Sequence, residues 1–265
     1  MEDRRKLEGK VAIVTGAGST GVGVGTGKAT SILLARAGAK VVLVNRSTER
    51  ANDVLRIIES EGGTASVVLA DLAEKGGCQR VADEAIARYG GVDILVNNAA
   101  ITLPRNILDT TPEDYERVIA INMTAPFLLS RAVIPSMIDR SGGAIINITS
   151  IAALRGVGGK GCTAYAMSKG GLDGMMIDLA DFFGKKGIRV NCIAPGMINT
   201  PMRNATVVAA GGNPETLNLG AATPLGREGD AWDVARAVLF LAGPDGAYIT
   251  GVHIPVDGGK IATSH

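Results

Sequence analysis

Seven short runs rich in β-branched residues, at 11–15, 40–44, 66–69, 93–97, 144–149, 189–194 and 252–256, alternate with six stretches of helical spacing, at 26–37, 48–60, 74–89, 112–139, 163–186 and 230–242. Continuous apolar runs of this length read as strands buried on both faces, and a strand that follows each helix in turn builds a parallel sheet. The alternation therefore restricts the chain to an α/β fold, a Rossmann-like, doubly wound, seven-stranded parallel sheet with helices on both faces. The fourth helix opens with Thr111-Pro112-Glu113-Asp114, an N-cap followed by proline at the first helical position. No Pro/Ser-rich linker, low-complexity tract or internal repeat divides the sequence, so residues 1–265 read as a single domain with residues 1–8 as an N-terminal extension. The exception to the regular spacing is 197–224, rich in Gly, Ala, Asn and Thr and too long for an ordinary connection; it is expected to be a loop that closes over a substrate.

Composition narrows the partners. Basic and acidic residues nearly cancel, 27 against 26, so no global field calls for nucleic acid or an anionic membrane, and a small molecule fits better. The charged stretch from Met1 to Lys10 has no apolar leader character, and no run of ~18 uninterrupted apolar residues occurs, so neither secretion nor membrane insertion is expected. Cys78, Cys162 and Cys192 are too few and too scattered for a disulfide framework, and His253 and His265 lack a second ligand type at metal spacing. A reducing cytoplasm and no bound metal follow as expectations.

Glycine is where composition becomes local. The chain has 36 glycines, and six of them fall within the twelve residues 16–27, between the first strand and the first helix. Residues without a Cβ let backbone N–H groups approach a pyrophosphate, and the helix that follows offers the positive end of its dipole. A second pattern lies at the head of the helix at 163–186, where Tyr165 and Lys169 stand four apart and so share a helix face. A phenol titrating near 10 is a poor base at neutrality, and an adjacent ammonium is expected to lower its pKa. Taken alone, such a pair equally describes a snorkelling lysine beside a half-buried tyrosine.

In these residues the chain resembles the short-chain dehydrogenase/reductase family, in order from about Gly9 to Gly259. The resemblance implies NADP(H) or NAD(H) as cofactor, with the pyrophosphate at Gly16, Ser19, Thr20, Gly25, Thr26 and Gly27. Aligning Gly25-Thr26-Gly27 with the family's later glycines keeps the usual distance to the second strand but adds five residues to the loop; Gly21 and Gly23 are the alternative. Asn45-Arg46-Ser47 ends the second strand where the adenosine ribose is met. Asparagine stands there in place of an acid and arginine follows it, which favours NADP(H) over NAD(H). Asp71 and Leu72 would meet the adenine, Asn98-Ala99-Ala100 would follow the fourth strand beside the cofactor, and Pro195, Gly196, Ile198 and Thr200 would hold the nicotinamide end. The resemblance further implies catalysis by Asn122, Ser150, Tyr165 and Lys169, with Tyr165 and Lys169 also touching cofactor and an oxidised, positively charged nicotinamide further lowering the phenol pKa. Ser150, Ala152, Cys162, Tyr165, Met197 and Met202 would line the substrate site, with Leu154 and Thr163 on the same wall as Cys162.

The implied reaction is hydride transfer between a nicotinamide and a carbonyl carbon, interconverting a ketone and a secondary alcohol with Tyr165 as general acid and base. Met197, Met202, Val207, Val208 and Leu217 imply a cyclic or hydrophobic substrate, while Arg155 and Arg203 leave open one carrying a phosphate. Family members usually form homotetramers, or homodimers, through the helices at 112–139 and 163–186. Two other readings stand beside this one: an enoyl reductase of the same superfamily, whose tyrosine and lysine are spaced further apart than four, and a non-catalytic dinucleotide-binding regulator that senses redox state.

Overall fold

The computed structural model describes residues 6–19, 21, 23–156, 161–209, 211–217 and 219–263. Seven strands form one parallel sheet: β1 (Val11–Thr15), β2 (Lys40–Asn45), β3 (Thr64–Leu69), β4 (Ile94–Asn97), β5 (Gly143–Ile148), β6 (Ile188–Pro195) and the edge strand at His253–Val256. That edge strand is the ninth in chain order and is called β9, after the short pair β7 (Ile198–Asn199) and β8 (Gly229–Asp230). The order β3-β2-β1-β4-β5-β6-β9 reverses direction between β1 and β4, which is the switch point where a doubly wound sheet opens a crevice beyond its strand ends.

Both faces are covered. Ala12 and Val14 of β1 and Val41 and Leu43 of β2 pack under α1 (Thr26–Arg36), α2 (Thr48–Ser60) and α8 (Ala231–Ala242). The alternate residues Ile13, Val42 and Leu95 face α3 (Gly77–Tyr89), α5 (Ala125–Asp139) and α6 (Thr163–Phe183). Burial on two faces is why these strands read as unbroken apolar runs rather than as alternation.

The helix expected over 112–139 is divided. It runs as α4 (Pro112–Ile119), a π-helical turn at Ala120–Thr124 and then α5, with the Ala125 N–H reaching back to the Ala120 carbonyl. The wider turn accommodates Pro126, which has no N–H to donate to the carbonyl of Asn122 four residues earlier. Pro112–Asp139 is long and apolar enough by composition to cross a membrane, yet half of its most apolar window is buried, with Leu129, Val133 and Met137 packed against the sheet.

The segment 197–224 also differs from the loop expected of it. It contains β7 and the helix α7 (Pro201–Ala209), started by Thr200, whose hydroxyl accepts from the Arg203 N–H at 3.3 Å, and by Pro201 at the first helical position. Further along the chain, β8 pairs in parallel with β7, Ile198 opposite Gly229 and Asn199 opposite Asp230.

Candidate active site

A cavity of about 730 Å³ lies beyond the carboxyl ends of β1, β4, β5 and β6. Its floor is the switch point itself. Thr15 Oγ1 accepts from the N–H groups of Asn98 and Ala99, both at 2.9 Å, and Asn98 Nδ2 donates to Thr15 O at 2.8 Å, so the turns after β1 and β4 are locked together. α1 starts at Thr26, and a Cβ on Gly27 would stand 2.1 Å from Gly16 O and 2.5 Å from Asn98 Nδ2. Gly16 has φ +64°, open only to a residue without a side chain at low cost. Gly21 and Gly23 lie elsewhere, with Pro201 as the nearest neighbour of an added Cβ at 3.7 Å for each.

Most of the expected cofactor residues line this cavity: Gly16, Ser19, Gly25, Thr26 and Gly27, Asn45, Arg46 and Ser47, Asp71 and Leu72, Asn98 to Ala100, and Pro195, Gly196, Ile198 and Thr200. Thr20 falls outside the described residues. At the β2 end, Asn45 Oδ1 accepts from the Ser47 N–H at 3.0 Å, and Arg46 forms a loose, exposed ion pair with Asp71 at 3.4 Å. Sequence reading missed Gly18 and Arg50 here. A Cβ on Gly18 would lie 2.7 Å from both Arg50 Cβ and Asn45 Nδ2, so this glycine lets the loop close onto α2, and Arg50 brings a second guanidinium to the same end of the cavity.

At the opposite end stand Ser150, Tyr165 and Lys169. The Ser150 side chain stands beside the Tyr165 phenol, where it favours the charged form, and accepts from the Ala152 N–H at 3.1 Å. Lys169 is 2% exposed, donates to Ile148 O at 2.7 Å, and its Nζ lies 5.7 Å from the Tyr165 ring centre. Burial pushes the phenol up to about 12, against the neighbouring Ser150 side chain that favours the phenolate, and pushes Lys169 down to about 8. The direction for Tyr165 is opposite to that expected from sequence. Desolvation dominates at the phenol, and the Lys169 ammonium is spent on the strand carbonyl of Ile148.

Three expected site residues stand elsewhere. Asn122 is fully buried and spends its carboxamide on Ile101, whose N–H and C=O it bonds at 2.9 Å each, and on Ser168 Oγ at 3.1 Å. Its backbone carbonyl receives no bond from the residue four further on, which is Pro126. Ala152 turns away in the 3₁₀ segment Ile151–Ala153, and Cys162 sits at the N-cap of α6, so neither reaches the cavity wall; nor do Leu154 and Thr163. Met197 and Met202 do line it, joined by Thr149, Arg203, Thr206 and Val207, whereas Val208 and Leu217 are exposed. Arg203 is engaged by Glu228, Asn204 and the carbonyls of Pro214 and Leu217, and Arg155 by Lys260 O and Thr263. Among the described residues no group of three His, Cys, Asp or Glu side chains could hold a metal ion.

A glycine-lined crevice at the switch point of a doubly wound sheet, with a half-buried tyrosine and a buried lysine at its far end, is the architecture of a dinucleotide-binding protein. A family model described as Enoyl-(Acyl carrier protein) reductase matches residues 21–260. The chain is 35% identical over 258 residues to the 3-oxoacyl-[acyl-carrier-protein] reductase of Thermotoga maritima, covering 97% of this chain and 99% of that protein. A 7α-hydroxysteroid dehydrogenase solved with NADH and 7-oxo glycochenodeoxycholic acid superposes with a TM-score of 0.84 at 35% identity, over 98% of this chain and 97% of that one. A Beutenbergia cavernae protein described as an NAD(P)-dependent gluconate 5-dehydrogenase, solved with NADP at low occupancy, gives 0.86 at 34% identity, over 98% and 100%. The chain belongs to the short-chain dehydrogenase/reductase family. It is an oxidoreductase that uses a nicotinamide dinucleotide on a small-molecule substrate.

Proposed function

We propose that the protein interconverts a ketone and a secondary alcohol, with Tyr165 as the general acid and base. The placing of Ser150 beside Tyr165 at the inner end of the dinucleotide crevice carries this reading, because both groups can then hold one substrate oxygen. Bound along the crevice, the nicotinamide supplies or accepts the hydride. In reduction, Ser150 donates to the carbonyl oxygen, Tyr165 gives its proton as the alkoxide develops, and Lys169 with the backbone carbonyl of Asn122 returns a proton through water. The four-residue spacing of Tyr165 and Lys169 favours carbonyl reduction over enoyl reduction.

The cofactor residues are those that line the crevice, and the dinucleotide is NADP(H) rather than NAD(H). Asn45 offers no carboxylate to a ribose diol, and Arg46 and Arg50 supply two cations. Exchanging the exposed Arg46–Asp71 pair for a phosphate costs little, since surface pairs contribute about 0–1 kcal/mol. The substrate is a cyclic or hydrophobic ketone or alcohol, received against Met197, Met202 and Val207. A 3-oxoacyl thioester offers the same ketone, but Arg155 and Arg203, the side chains suited to its phosphate, are held internally. Cysteines left as free thiols, two of them buried, fit a cytoplasmic enzyme.

The test is a fluorescence titration with NADPH and NADH, then a screen of ketones and alcohols with the tighter one. Tyr165→Phe should cut turnover on the order of 10²–10⁴-fold with cofactor Kd nearly unchanged. Substantial surviving activity would sink the assignment, tighter NADH would reverse the preference, and binding without turnover on any substrate would favour a regulator.

A further inference from the structure

Tyr165, Lys169 and Asp173 follow one another at four-residue intervals and form one row along α6. Tyr165 stands beside Ser150, and Lys169 is tied to the carbonyl of Ile148. The residue between those two, Thr149, is tied to the third member of the row by way of the edge strand. His253 Nδ1 lies 2.9 Å from Asp173 Oδ1, and its Nε2 lies 2.8 Å from Thr149 Oγ1. One imidazole from β9 thus joins α6 to the end of β5 across the intervening β6. The register partner of His253 on β6 is Cys192, whose thiol also contacts Asp173 and is held neutral by burial.

We propose that Asp173 and His253 are positioning residues of the reaction, holding Thr149, and through its backbone Ser150, where Ser150 meets Tyr165. Pairing of β5 with β6 runs out at Ile148 opposite Ile193, followed by a last bond from the Thr149 N–H to Ile193 O at 2.8 Å. Ser150 comes next and opens the turn Ile151–Ala153, so the Thr149 side chain is the final anchor before the chain leaves the sheet. The Thr149 hydroxyl donates to Ile193 O at 2.9 Å, so it offers His253 a lone pair: the ring holds Thr149 by donating from Nε2, while its Nδ1 faces the Asp173 carboxylate. Thr149 and Ser150 line the cavity and Asp173 and His253 do not, so the pair acts through its neighbours.

The proposal rests on Ser150 and Tyr165 being the reacting pair, and a double-mutant cycle on ketone reduction tests it. His253→Ala and the near-isosteric Thr149→Val should each lower kcat on the order of tenfold, with cofactor KM within about twofold. His253→Gln, whose amide N–H can still donate to the Thr149 hydroxyl, should recover most of the rate, and the double variant should be no worse than the worse single because both remove one link. Additive losses, or kcat unchanged while only Tm falls, would overturn the proposal. The link is also read without turnover. In a His265→Ala background His253 is the sole histidine of the chain, and Thr149→Val should shift both its imidazole resonance and the Ser150 amide; no shift at either would overturn the link. Turnover surviving in Tyr165→Phe would overturn the reacting pair instead, leaving this resonance test as the judge of the link.

Discussion

Lys169 is among the largest fully buried side chains, and its ammonium is held by a strand carbonyl 2.7 Å away. The surrounding protein therefore sets two titrations against each other: a phenol at about 12 that stays protonated through neutrality, and an ammonium at about 8 that does not stay charged far above it. Ketone reduction needs the neutral phenol and a charged lysine behind it, so its rate should be flat at low pH and fall as pH rises through about 8. Alcohol oxidation needs the phenolate and should climb with pH over the same range. Initial rates in both directions between pH 6 and 10 check this; a reduction rate level to pH 10 would contradict the role given to Lys169. Tyr165 and Lys169 were legible because helix geometry alone puts i and i+4 side by side. Asp173 and His253 were not, since eighty residues separate them and only the strand order brings them together.

Within the elements, the crowded glycine loop separates into positions that need a bare backbone and positions that do not. Gly27 seals α1 against the β1 and β4 turns, where a methyl group would overlap a backbone oxygen, whereas Gly21 has room. Gly27→Ala should lose at least tenfold in NADPH affinity and destabilise the fold by about 1–3 kcal/mol, while Gly21→Ala should stay within about twofold of wild type. Isothermal titration and thermal melts of the two variants distinguish them; equal effects would mean that the loop binds otherwise than through Gly25-Thr26-Gly27. Spacing alone could not choose between the two glycine pairs, because both follow one strand and precede one helix. The division of the long helix was visible only as Pro126, and α7 was hidden by a sequence poor in helix formers, with Thr200-Pro201 its one start signal.

For the molecule as a whole, strand order and the two covered faces followed from the alternation of runs, since buried parallel strands leave a continuous apolar signature. Association did not, because it depends on which apolar residues remain outside. Phe127 on α5 is 54% exposed, and Ile177 and Phe182 on α6 are 61% and 74% exposed, more than an isolated domain gains from leaving in water. We expect light scattering at micromolar concentration to give a tetramer, or at least a dimer, and a charged residue at Phe182 to shift it toward monomer. A wild-type monomer would refute this.

The short β7–β8 ladder has a bearing on how such a protein can change. Residues 200–228 leave the sheet at Asn199 and return beside it at Gly229, so the excursion starts and finishes at one anchored point. For a flexible loop the closure cost grows only logarithmically with length, about 0.6 kcal/mol per doubling, so stretches of different length and lining can be exchanged there without disturbing the end of β5 beside Ser150 or the helix α6 that carries Tyr165. On the proposed function, substrate choice becomes in this sense a replaceable cassette, grafted onto a reaction centre that need not be rebuilt each time.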